Sequence, residues 1–533
     1  MALARPRRYE EPGNESPRPR RLRVTRSVVF LAALCLMTMP PILLAGIRTP
    51  AGSVFTGYAV IARDAEVYQA LWRAGWQGAW LFHSPYSAES LPGIVLYPWY
   101  LWPAHLVGWA TGPWLYHLGR LAAGAALLSS VWLLIAELFR PRLVRRWAFA
   151  LCILGGGIGA LLPHDIHLGP FVSHATEMTS PGSSVADLVG MAPHLPWAMA
   201  LMCWAMTAGL RLRHRDSASV LISGLGAILG LQLIYPQLAL LAVACLFGWS
   251  LARRHRRAIW FAVAGAALQL PYLGYLLWIW ATAPDALRVI RPALDVGDPF
   301  GFLVLSHLVA TVLIVIAIWR RRLRGDLLLP ALWIAGMTVF MFAPGISGIL
   351  GRSFMASSVP FGLCAAPGLL TMLRGVRSVA WRRRLLVSTV AVSSFYGILS
   401  LTQPYWIAAF RLDPRAEYES RAEAALLARL APQVTAQDVV LTTYLDGIFV
   451  PAQSGARAFT GHPEMTIDAG RKADQALAFF TRWSTAERAA FAQANHIDYV
   501  LATDPRFVQR LRDDPRLRIV DREGDAAVFQ VQP

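Results

Sequence analysis

Long apolar stretches dominate the first three quarters of the chain, and short polar stretches separate them. Twelve such apolar segments can be delimited. They lie near residues 27–46, 91–110, 114–138, 147–163, 195–212, 218–235, 237–252, 258–281, 300–319, 327–343, 354–373 and 385–402. A helix of about 20 apolar residues is long enough to cross the hydrocarbon core of a bilayer. The pattern therefore predicts a polytopic α-helical membrane protein.

The basic residues between these segments indicate how many of the segments cross. If segment 91–110 lies in the membrane interface, every basic cluster falls on the same side as the N-terminus, as the positive-inside rule requires. These clusters are the N-terminal tail and residues 140–146, 211–215, 253–257, 320–324 and 374–384. Segment 91–110 also contains Pro92, Pro98 and Pro103, which disfavour a continuous helix. We therefore predict eleven spans, with the N-terminus in the cytoplasm.

This topology divides the chain into three regions. Residues 1–26 are rich in Arg and Pro and are predicted to form a disordered cytoplasmic tail. Residues 27–402 form a multi-span domain, and residues 403–533 form an extracytoplasmic domain. The long loops of the multi-span domain all lie on the outer face, at residues 47–113, 164–194 and 282–299. This asymmetry places any chemistry on the outer face of the plasma (inner) membrane.

The pattern in the C-terminal region is typical of a small α/β domain, because candidate strands alternate with helical stretches. The candidate strands are Asp438–Tyr444, Asp498–Thr503, and a hairpin of Leu517–Asp521 with Ala526–Val531. The candidate helices lie near residues 415–431, 471–481 and 485–495. Two polar stretches, Asp446-Gly447 and Gly461-His462-Pro463-Glu464, are interpreted as turns with surface polar groups.

Composition narrows the class of protein further. Hydrophobic residues make up 56% of the chain and charged residues only 15%, whereas about a quarter of a soluble domain is charged. This excludes a cytosolic enzyme, a secreted disulfide scaffold and a disordered chain. The net charge of +18 lies in clusters between the spans and forms no basic face on a folded domain, so we expect no nucleic-acid partner. The five cysteines lie in apolar runs without metal-ligand spacing.

The first outer loop carries the strongest candidate chemistry. It contains Asp64 and Glu66, and two carboxylates close to a bilayer surface are costly unless they are solvated or used. Tyr68 follows Asp64 by four positions and shares its face if the segment is helical. The aromatic residues that continue the loop include His83 and Tyr86, and they fit either an interface belt or a surface that stacks on sugars. The alternative is a solvated amphipathic helix with anchoring tryptophans.

Two other groups of residues are candidates for binding. Glu177 lies in the second outer loop together with four of the twelve histidines, and these residue types bind metals, although their spacing matches no tight motif. Arg288, Arg291 and Arg352 are positive charges on a face where such charges are rare, and guanidinium groups bind phosphate. The alternatives are a polar loop with incidental histidines, and arginines that reach lipid headgroups.

Three features together point to a family. They are Asp64-Ala65-Glu66 with Tyr68 in a long first outer loop, the apolar segment Leu96-Tyr97-Pro98-Trp99-Tyr100-Leu101, and a span that opens with Leu115-Tyr116-His117-Leu118-Gly119-Arg120-Leu121. With many spans and an outer soluble domain, the chain resembles the GT-C superfamily of polyprenyl-phosphate-sugar glycosyltransferases. It is similar to the branch of protein mannosyltransferases and aminoarabinose transferases over about residues 27–402. Protein mannosyltransferases have adjacent Asp and Glu, whereas Ala65 intervenes here.

The resemblance implies an inverting sugar transfer on the outer face, with Asp64 or Glu66 as the base and Asp64 as the first assignment. Glu66 and Glu177 would assist acceptor binding, or Asp64 and Glu177 would hold a divalent metal such as Mg, Mn or Zn. The implied partners are a lipid-linked sugar donor, an acceptor that is a glycan, lipid or protein, and membrane lipids. Arg288, Arg291 and Arg352 would bind the lipid phosphate, and Tyr68, His83 and Tyr86 would contact the substrate.

Two other classes of protein remain as alternatives. A secondary transporter or flippase predicts ionisable residues in the middle of spans and an internal repeat. A non-catalytic membrane assembly protein, whose C-terminal domain binds a partner, predicts that the outer carboxylates lie far apart without a pocket between them.

Overall fold

The computed structural model describes residues 36–59, 61–108, 112–156, 165–168, 171–174, 183–214, 217–284, 286, 307–342, 351–410 and 417–532. The described part of the chain is mostly helical, in agreement with the apolar pattern. The predicted disordered tail, residues 1–26, lies outside the described residues.

Among the described residues, three helices are long and apolar enough to cross a membrane, namely Pro113–Leu138, His194–Leu212 and Arg256–Thr282. A fourth candidate is a pair of helices, Val379–Ser393 and Phe395–Trp406, bent by 56° at a short break. Shorter apolar helices cover Ala218–Ile234, Pro236–Ala252, Leu308–Trp319 and Gly325–Phe340. The other helices of this part are Pro40–Ile47, Arg142–Leu154, Val185–Gly190 and Ser358–Gly375. The structure thus supports a membrane protein with several apolar helices, and the number of eleven spans remains a prediction.

The largest apolar core lies among these membrane helices. Trp249 and Trp333 are fully buried in it, and small residues allow the helices to approach closely. A Cβ atom at Gly368 would lie 1.9 Å from the carbonyl oxygen of Leu313 on a neighbouring helix. Glycine is therefore required at this helix crossing.

Two helices within residues 47–113, the predicted first outer loop, lie beside this bundle. The first, Ala62–Trp76, is called the loop helix, and the second, Pro98–Val107, is called the in-plane helix after the orientation predicted for it. The in-plane helix has only 10 residues, or about 15 Å of length, which is too short to cross. A Cβ at Gly75 would lie 2.2 Å from the Leu101 carbonyl oxygen, so the two helices touch backbone to backbone at this glycine.

The C-terminal region contains five strands, β5 (Val439–Leu441), β6 (Arg457–Ala458), β7 (Tyr499–Ala502), β8 (Leu517–Glu523) and β9 (Ala526–Val531). They form one sheet in the order β6-β5-β7-β9-β8. Strand β5 is parallel to β6 and β7, whereas β9 is antiparallel to β7 and β8. The β8–β9 hairpin turns at Gly524, whose φ of +57° suits glycine. The four strands and the hairpin turn proposed from the sequence fall at these positions.

Helices pack on this sheet at Arg421–Leu430, Val450–Ser454, Ala469–Thr481, Thr485–Ala494 and Pro505–Arg512. A core of its own fills the space between the sheet and the helices around Phe479, Phe480 and Phe529. The helix Thr485–Ala494 begins with a capping box between Ser484 and Glu487, which satisfies the first backbone donors of the helix.

The C-terminal region is joined to the first outer loop, which differs from the separate domain predicted at residue 403. The helix Phe395–Phe410 runs through that boundary, and β4 (Tyr418–Ser420) pairs antiparallel with β1 (Ser53–Phe55). A second apolar core combines residues of both regions, including Leu71 and Tyr86 from the loop and Leu426 and Val528 from the C-terminal region. The loop and the C-terminal region therefore share one apolar core. Two further strands, β2 (Asp165–Leu168) and β3 (Phe171–His174), form a hairpin in the second outer loop.

Candidate active site

The loop helix positions the acidic residues of the first outer loop. Its buried face, which includes Ala65, Val67 and Leu71, packs against the C-terminal region and the in-plane helix. Asp64 lies in the first turn, where the helix dipole stabilises a negative charge. Because its side chain is 48% exposed, Asp64 can be reached by a substrate, whereas Glu66 of the same helix is buried.

The side chain of Asp64 meets a histidine from the C-terminal region. The Nε2 atom of His462 lies 3.2 Å from Oδ1 of Asp64, and the histidine side chain is only 4% exposed. The interpretation of Gly461-His462-Pro463-Glu464 as a turn with surface polar groups is therefore wrong for His462. The ring is buried because the turn folds back under the loop helix, and its centroid lies 6.0 Å from the ring of Tyr86.

Glu66 occupies a different environment from Asp64. Positions two apart on a helix point to different sides, and the Glu66 side chain points into the buried boundary with the C-terminal region. Burial, and then the charge of Glu419, raises the pKa of Glu66 well above its usual value. A buried carboxyl group of this kind is held in its neutral form, so Glu66 is poorly suited to be a base and Asp64 is favoured.

Glu66 belongs to a cluster of buried acidic groups. Burial raises the pKa of Glu419 to about 8, against the effect of a hydrogen bond from Gln453. Burial and the charges of Asp446 and Glu419 raise the pKa of Glu423 well above its usual value. The pKa of Asp446 is also raised by burial, although its Oδ2 accepts hydrogen bonds from Thr443 (2.9 Å) and Thr503 (2.8 Å). Burial thus favours the protonated form of each of these four carboxyl groups at the boundary of the two regions, and no pattern in the sequence indicated this cluster.

The tyrosines predicted to contact the substrate are packed inside the structure. The ring of Tyr68 is stacked on Tyr100 at 4.5 Å, and the Tyr100 hydroxyl is 2.7 Å from Nδ1 of His194. The other nitrogen of His194 lies 3.1 Å from the hydroxyl of Tyr235, so this chain of polar groups continues into the membrane helices. The buried Tyr86 donates to the carbonyl of Ile448 at 2.9 Å. Burial leaves neither ring a face on which a sugar could stack.

His83 is exposed, unlike the two tyrosines. Its Nδ1 atom lies 3.2 Å from the carbonyl oxygen of Leu91. It lines a cavity of about 180 Å³ between the loop and the C-terminal region, together with Gln77, Glu89 and Arg457. Asp64 is not among the residues that line this cavity.

Several predicted site residues lie outside the described residues. These are Glu177, Arg288 and Arg291. Arg352 lies in the short 3-10 helix Gly351–Phe354, but its side chain is not described. Convergence of these residues on Asp64 therefore stays a prediction.

One arginine of the described spans lies on the helix that contacts the loop helix. Arg120 is buried near the start of Gly112–Leu138, where it donates to the carbonyl of Val189 at 3.2 Å. It follows Tyr116 by about one helical turn, and the ring of Tyr116 lies 6.5 Å from the ring of Tyr68 on the loop helix.

The residues around Asp64 do not form a metal site within the described part of the chain. No group of three or more His, Cys, Asp or Glu side chains is arranged there to hold a metal ion. Asp64 and His462 form a pair only, and the second predicted ligand, Glu177, lies outside the described residues.

A larger cavity of about 500 Å³ lies in the C-terminal region, away from Asp64. Asp438, Arg488, His496 and Arg516 line it. Its buried charges are already used by the fold, since Arg488 pairs with Asp514 at 2.8 Å.

A comparison of the sequence with protein-family models finds no match, and a comparison with curated proteins finds none either. The functional assignment therefore rests on the sequence pattern and on the geometry around Asp64.

Proposed function

We propose that this protein is a membrane glycosyltransferase that moves a sugar from a polyprenyl-phosphate donor to an acceptor at the extracytoplasmic face. The observation that carries the proposal is the half-exposed carboxylate of Asp64, held by His462 next to the in-plane helix and the span Gly112–Leu138. A carboxylate beside a membrane span can act on the polar head of a substrate whose lipid part stays in the bilayer.

The proposed topology has eleven spans in the plasma (inner) membrane, with the N-terminus inside and residues 403–533 outside. It is supported by the distribution of basic residues and by the short length of the in-plane helix. It is also supported by the packing of the C-terminal region on the first outer loop, since two regions that share a core must lie on the same side of the membrane.

The proposed reaction is an inverting displacement. The free oxygen of Asp64 takes the proton of the acceptor hydroxyl, and the hydroxyl oxygen attacks the anomeric carbon of the donor sugar. The bond between that carbon and the phosphate oxygen breaks, and polyprenyl phosphate leaves with the electron pair. The leaving group is an anion, so positive charge near the phosphate stabilises the transition state.

Arginines are the proposed source of that positive charge. Arg288, Arg291 and Arg352 remain the candidates from the outer loops. Arg120 joins them because it lies about one helical turn after Tyr116, whose ring is 6.5 Å from that of Tyr68 on the loop helix. The donor set around Asp64 does not fit a metal site within the described residues, so no step is assigned to a metal. Glu66, which burial holds neutral, is proposed to stabilise the contact between the loop helix and the C-terminal region.

The experiment is a transfer assay in proteoliposomes with undecaprenyl phosphate that carries a radiolabelled hexose or pentose, measured as release of the lipid phosphate. Asp64→Asn keeps the size of the side chain and removes the base, so we expect transfer to fall by about 10²–10⁴-fold. Asp513→Asn, an exposed carboxylate in the C-terminal region, is the matched control and should transfer like the unchanged protein. Full activity in Asp64→Asn would refute Asp64 as the base.

The same assay distinguishes a glycosyltransferase from the two alternative classes of protein, a transporter or flippase and an assembly protein. A transporter or flippase would move the lipid-linked sugar between leaflets without breaking the bond to phosphate. Translocation without release of lipid phosphate would therefore favour transport, and the absence of both would favour an assembly protein.

A further inference from the structure

His462 is a residue of the C-terminal region whose side chain contacts Asp64. It lies in the turn between β6 and the helix Ala469–Thr481, and its ring is buried. The 3.2 Å contact between Nε2 and Oδ1 joins residues that are 398 positions apart in the sequence. The turn thus brings a polar nitrogen to a carboxylate that otherwise faces solvent.

The hydrogen bonds of Nδ1 show which ring nitrogen of His462 carries the proton. Nδ1 of His462 accepts the backbone N–H groups of Glu464 at 3.2 Å and Met465 at 3.3 Å. A ring nitrogen that accepts a hydrogen bond carries no hydrogen of its own. The proton of the neutral ring is therefore on Nε2, and Nε2–H donates to Oδ1 of Asp64.

The turn holds the ring in this orientation from several sides. The backbone N–H of Thr466 donates to the carbonyl of His462 at 3.0 Å. The first outer loop contributes as well, since Ser84 donates its hydroxyl to the carbonyl of Met465 at 2.6 Å. A Cβ at Gly461 would lie 2.5 Å from the carbonyl carbon of Gly447, so the turn packs tightly against its neighbour.

We propose that His462 is a positioning residue for Asp64. Its Nε2–H holds Oδ1 and fixes the carboxylate plane, which leaves Oδ2 to accept the proton of the acceptor hydroxyl. His462 does not itself take a proton in the reaction, because the lone pair of Nδ1 is already engaged by two backbone N–H groups. The C-terminal region therefore completes the active site, and removing this contact weakens catalysis without weakening substrate binding.

This inference rests on the proposed function, in which Asp64 is the base. The test uses two variants of the full-length protein in the proteoliposome assay with undecaprenyl-phosphate sugars. His462→Phe fills the buried space without a donor, and His462→Gln places an amide N–H close to the position of Nε2. We expect His462→Phe to lower kcat by about 10²-fold, the scale for a displaced catalytic group, with KM unchanged. His462→Gln should recover most of kcat.

Two outcomes of this assay overturn the inference. One is a rise in KM of His462→Phe with kcat unchanged, which would make His462 a binding residue. The other is equal loss of kcat in both variants, which would indicate that the fold needs the ring itself. In the Asp64→Asn background, His462→Phe should cause no further loss, because the positioning residue acts only through Asp64.

A thermal double-mutant cycle tests the contact without using activity. Asp64→Ala should lower Tm in the unchanged protein and should have no effect on Tm in His462→Phe. Additive effects would overturn the inference even if transfer is observed. If the cycle is non-additive and Asp64→Asn still transfers sugar at the full rate, the contact exists and the proposed function has failed instead.

Discussion

The ammonium group of Lys472 lies 2.6 Å from the carboxylate of Glu89 and joins the C-terminal region to the first outer loop. The lysine side chain is only 2% exposed, and its Nζ lies 5.0 Å from the ring centroid of Phe459. Burial lowers the pKa of Lys472, and the hydrogen bond to Glu89 opposes this effect. Lys472 is the single lysine of the chain, so this contact can be probed chemically without mutation.

The first prediction concerns the reaction of Lys472 with an amine-specific N-hydroxysuccinimide ester. In the folded protein Lys472 should react at least about tenfold more slowly than in denaturant, because opening of a buried contact must precede reaction. Glu89→Ala removes the partner of the ammonium group and should increase the rate. Mass spectrometry of the peptide that contains residue 472 measures both rates.

The matched control for this labelling is Asp474→Ala, which removes an exposed carboxylate from the same helix. It should leave the rate at Lys472 unchanged. Equal rates in the folded and the denatured protein would show that the C-terminal region does not stay packed on the first outer loop.

The second prediction concerns the dependence of stability on pH. Burial raises the pKa of Glu419 from an ordinary value of 4.5 to about 8, so the folded state holds a proton that the unfolded state releases between these values. The unfolded state binds fewer protons in this window, and the free energy of unfolding therefore falls as pH rises from about 4.5 to 8. Glu423 and Glu66, whose pKa values are raised in the same direction, add to this fall.

The variant Glu419→Gln tests whether the free energy of unfolding falls as pH rises. The amide oxygen can still accept the hydrogen bond from Gln453, but the side chain no longer titrates. We expect its Tm at pH 8 to exceed that of the unchanged protein, by about 1 °C for each kcal/mol gained in a chain of 533 residues, and to change less between pH 5 and 8. Thermal melts in detergent across this range measure the effect, with the exposed Asp525→Asn as the control. A lower Tm at pH 8 would contradict the buried environment of Glu419.

The third prediction concerns Gly455, which lies under the loop helix. Its φ is +84°, and an added Cβ would lie 2.8 Å from Nε of Arg73. Arg73 cannot move away easily, because it is buried and donates to the carbonyl groups of Ala452 and Gln453. Gly455→Ala should therefore cost about 1 kcal/mol of backbone strain and a further 1–2 kcal/mol, roughly, for overpacking.

The variant Gly524→Ala separates the backbone strain from the overpacking expected at Gly455. Gly524 also has a positive φ, of +57°, but no atom lies within 4 Å of its added Cβ. Its substitution should therefore show the backbone strain alone. The measurement is Tm in the same detergent, and equal losses in the two variants would mean that the loop helix does not press against Gly455.

Local features of the fold could be predicted from the sequence. The loop helix around Asp64 and the hairpin at Gly524 follow from residue patterns within about ten positions. The helix Pro98–Val107 lies within the proline-rich segment 91–110, where the prolines limit the length of any helix. The loop helix, the hairpin and this short helix each depend on neighbouring residues.

The chemistry of the site could not be predicted in the same way. Asp64 and Glu66 are both acidic residues in one short helix, and only the C-terminal region distinguishes them, by contacting Asp64 through His462 and by burying Glu66. Tyr68 and Tyr86 have the residue type that stacks on sugars, yet the rings pack inside the shared core. The three-residue strands β1 and β4 are too short to show a pattern, and they lie more than 360 positions apart.

The last prediction concerns topology. If segment 91–110 does not cross, Arg142 lies in the cytoplasm and Arg506 lies outside. Both are exposed, and the side chain of Arg506 is 83% exposed. In a Cys35→Ala background, Arg506→Cys should react with a membrane-impermeant maleimide in intact cells. Arg142→Cys should react only after permeabilisation. The native cysteines at 152, 203, 245 and 364 are buried and should contribute little labelling.

The reverse labelling pattern has a specific meaning. If segment 91–110 crossed as well, Arg142 would lie outside and the C-terminal region in the cytoplasm, whereas Asp64, which precedes that segment, would stay outside. The contact between Asp64 and His462 excludes that arrangement. Labelling of Arg142→Cys but not of Arg506→Cys in intact cells would therefore indicate that all eleven spans run in the opposite orientation, and it would contradict the proposed topology. It would also contradict an extracytoplasmic active site, because Asp64 and His462 are in contact and His462 belongs to the C-terminal region. A single labelling experiment thus tests the topology and the side of the membrane on which Asp64 acts.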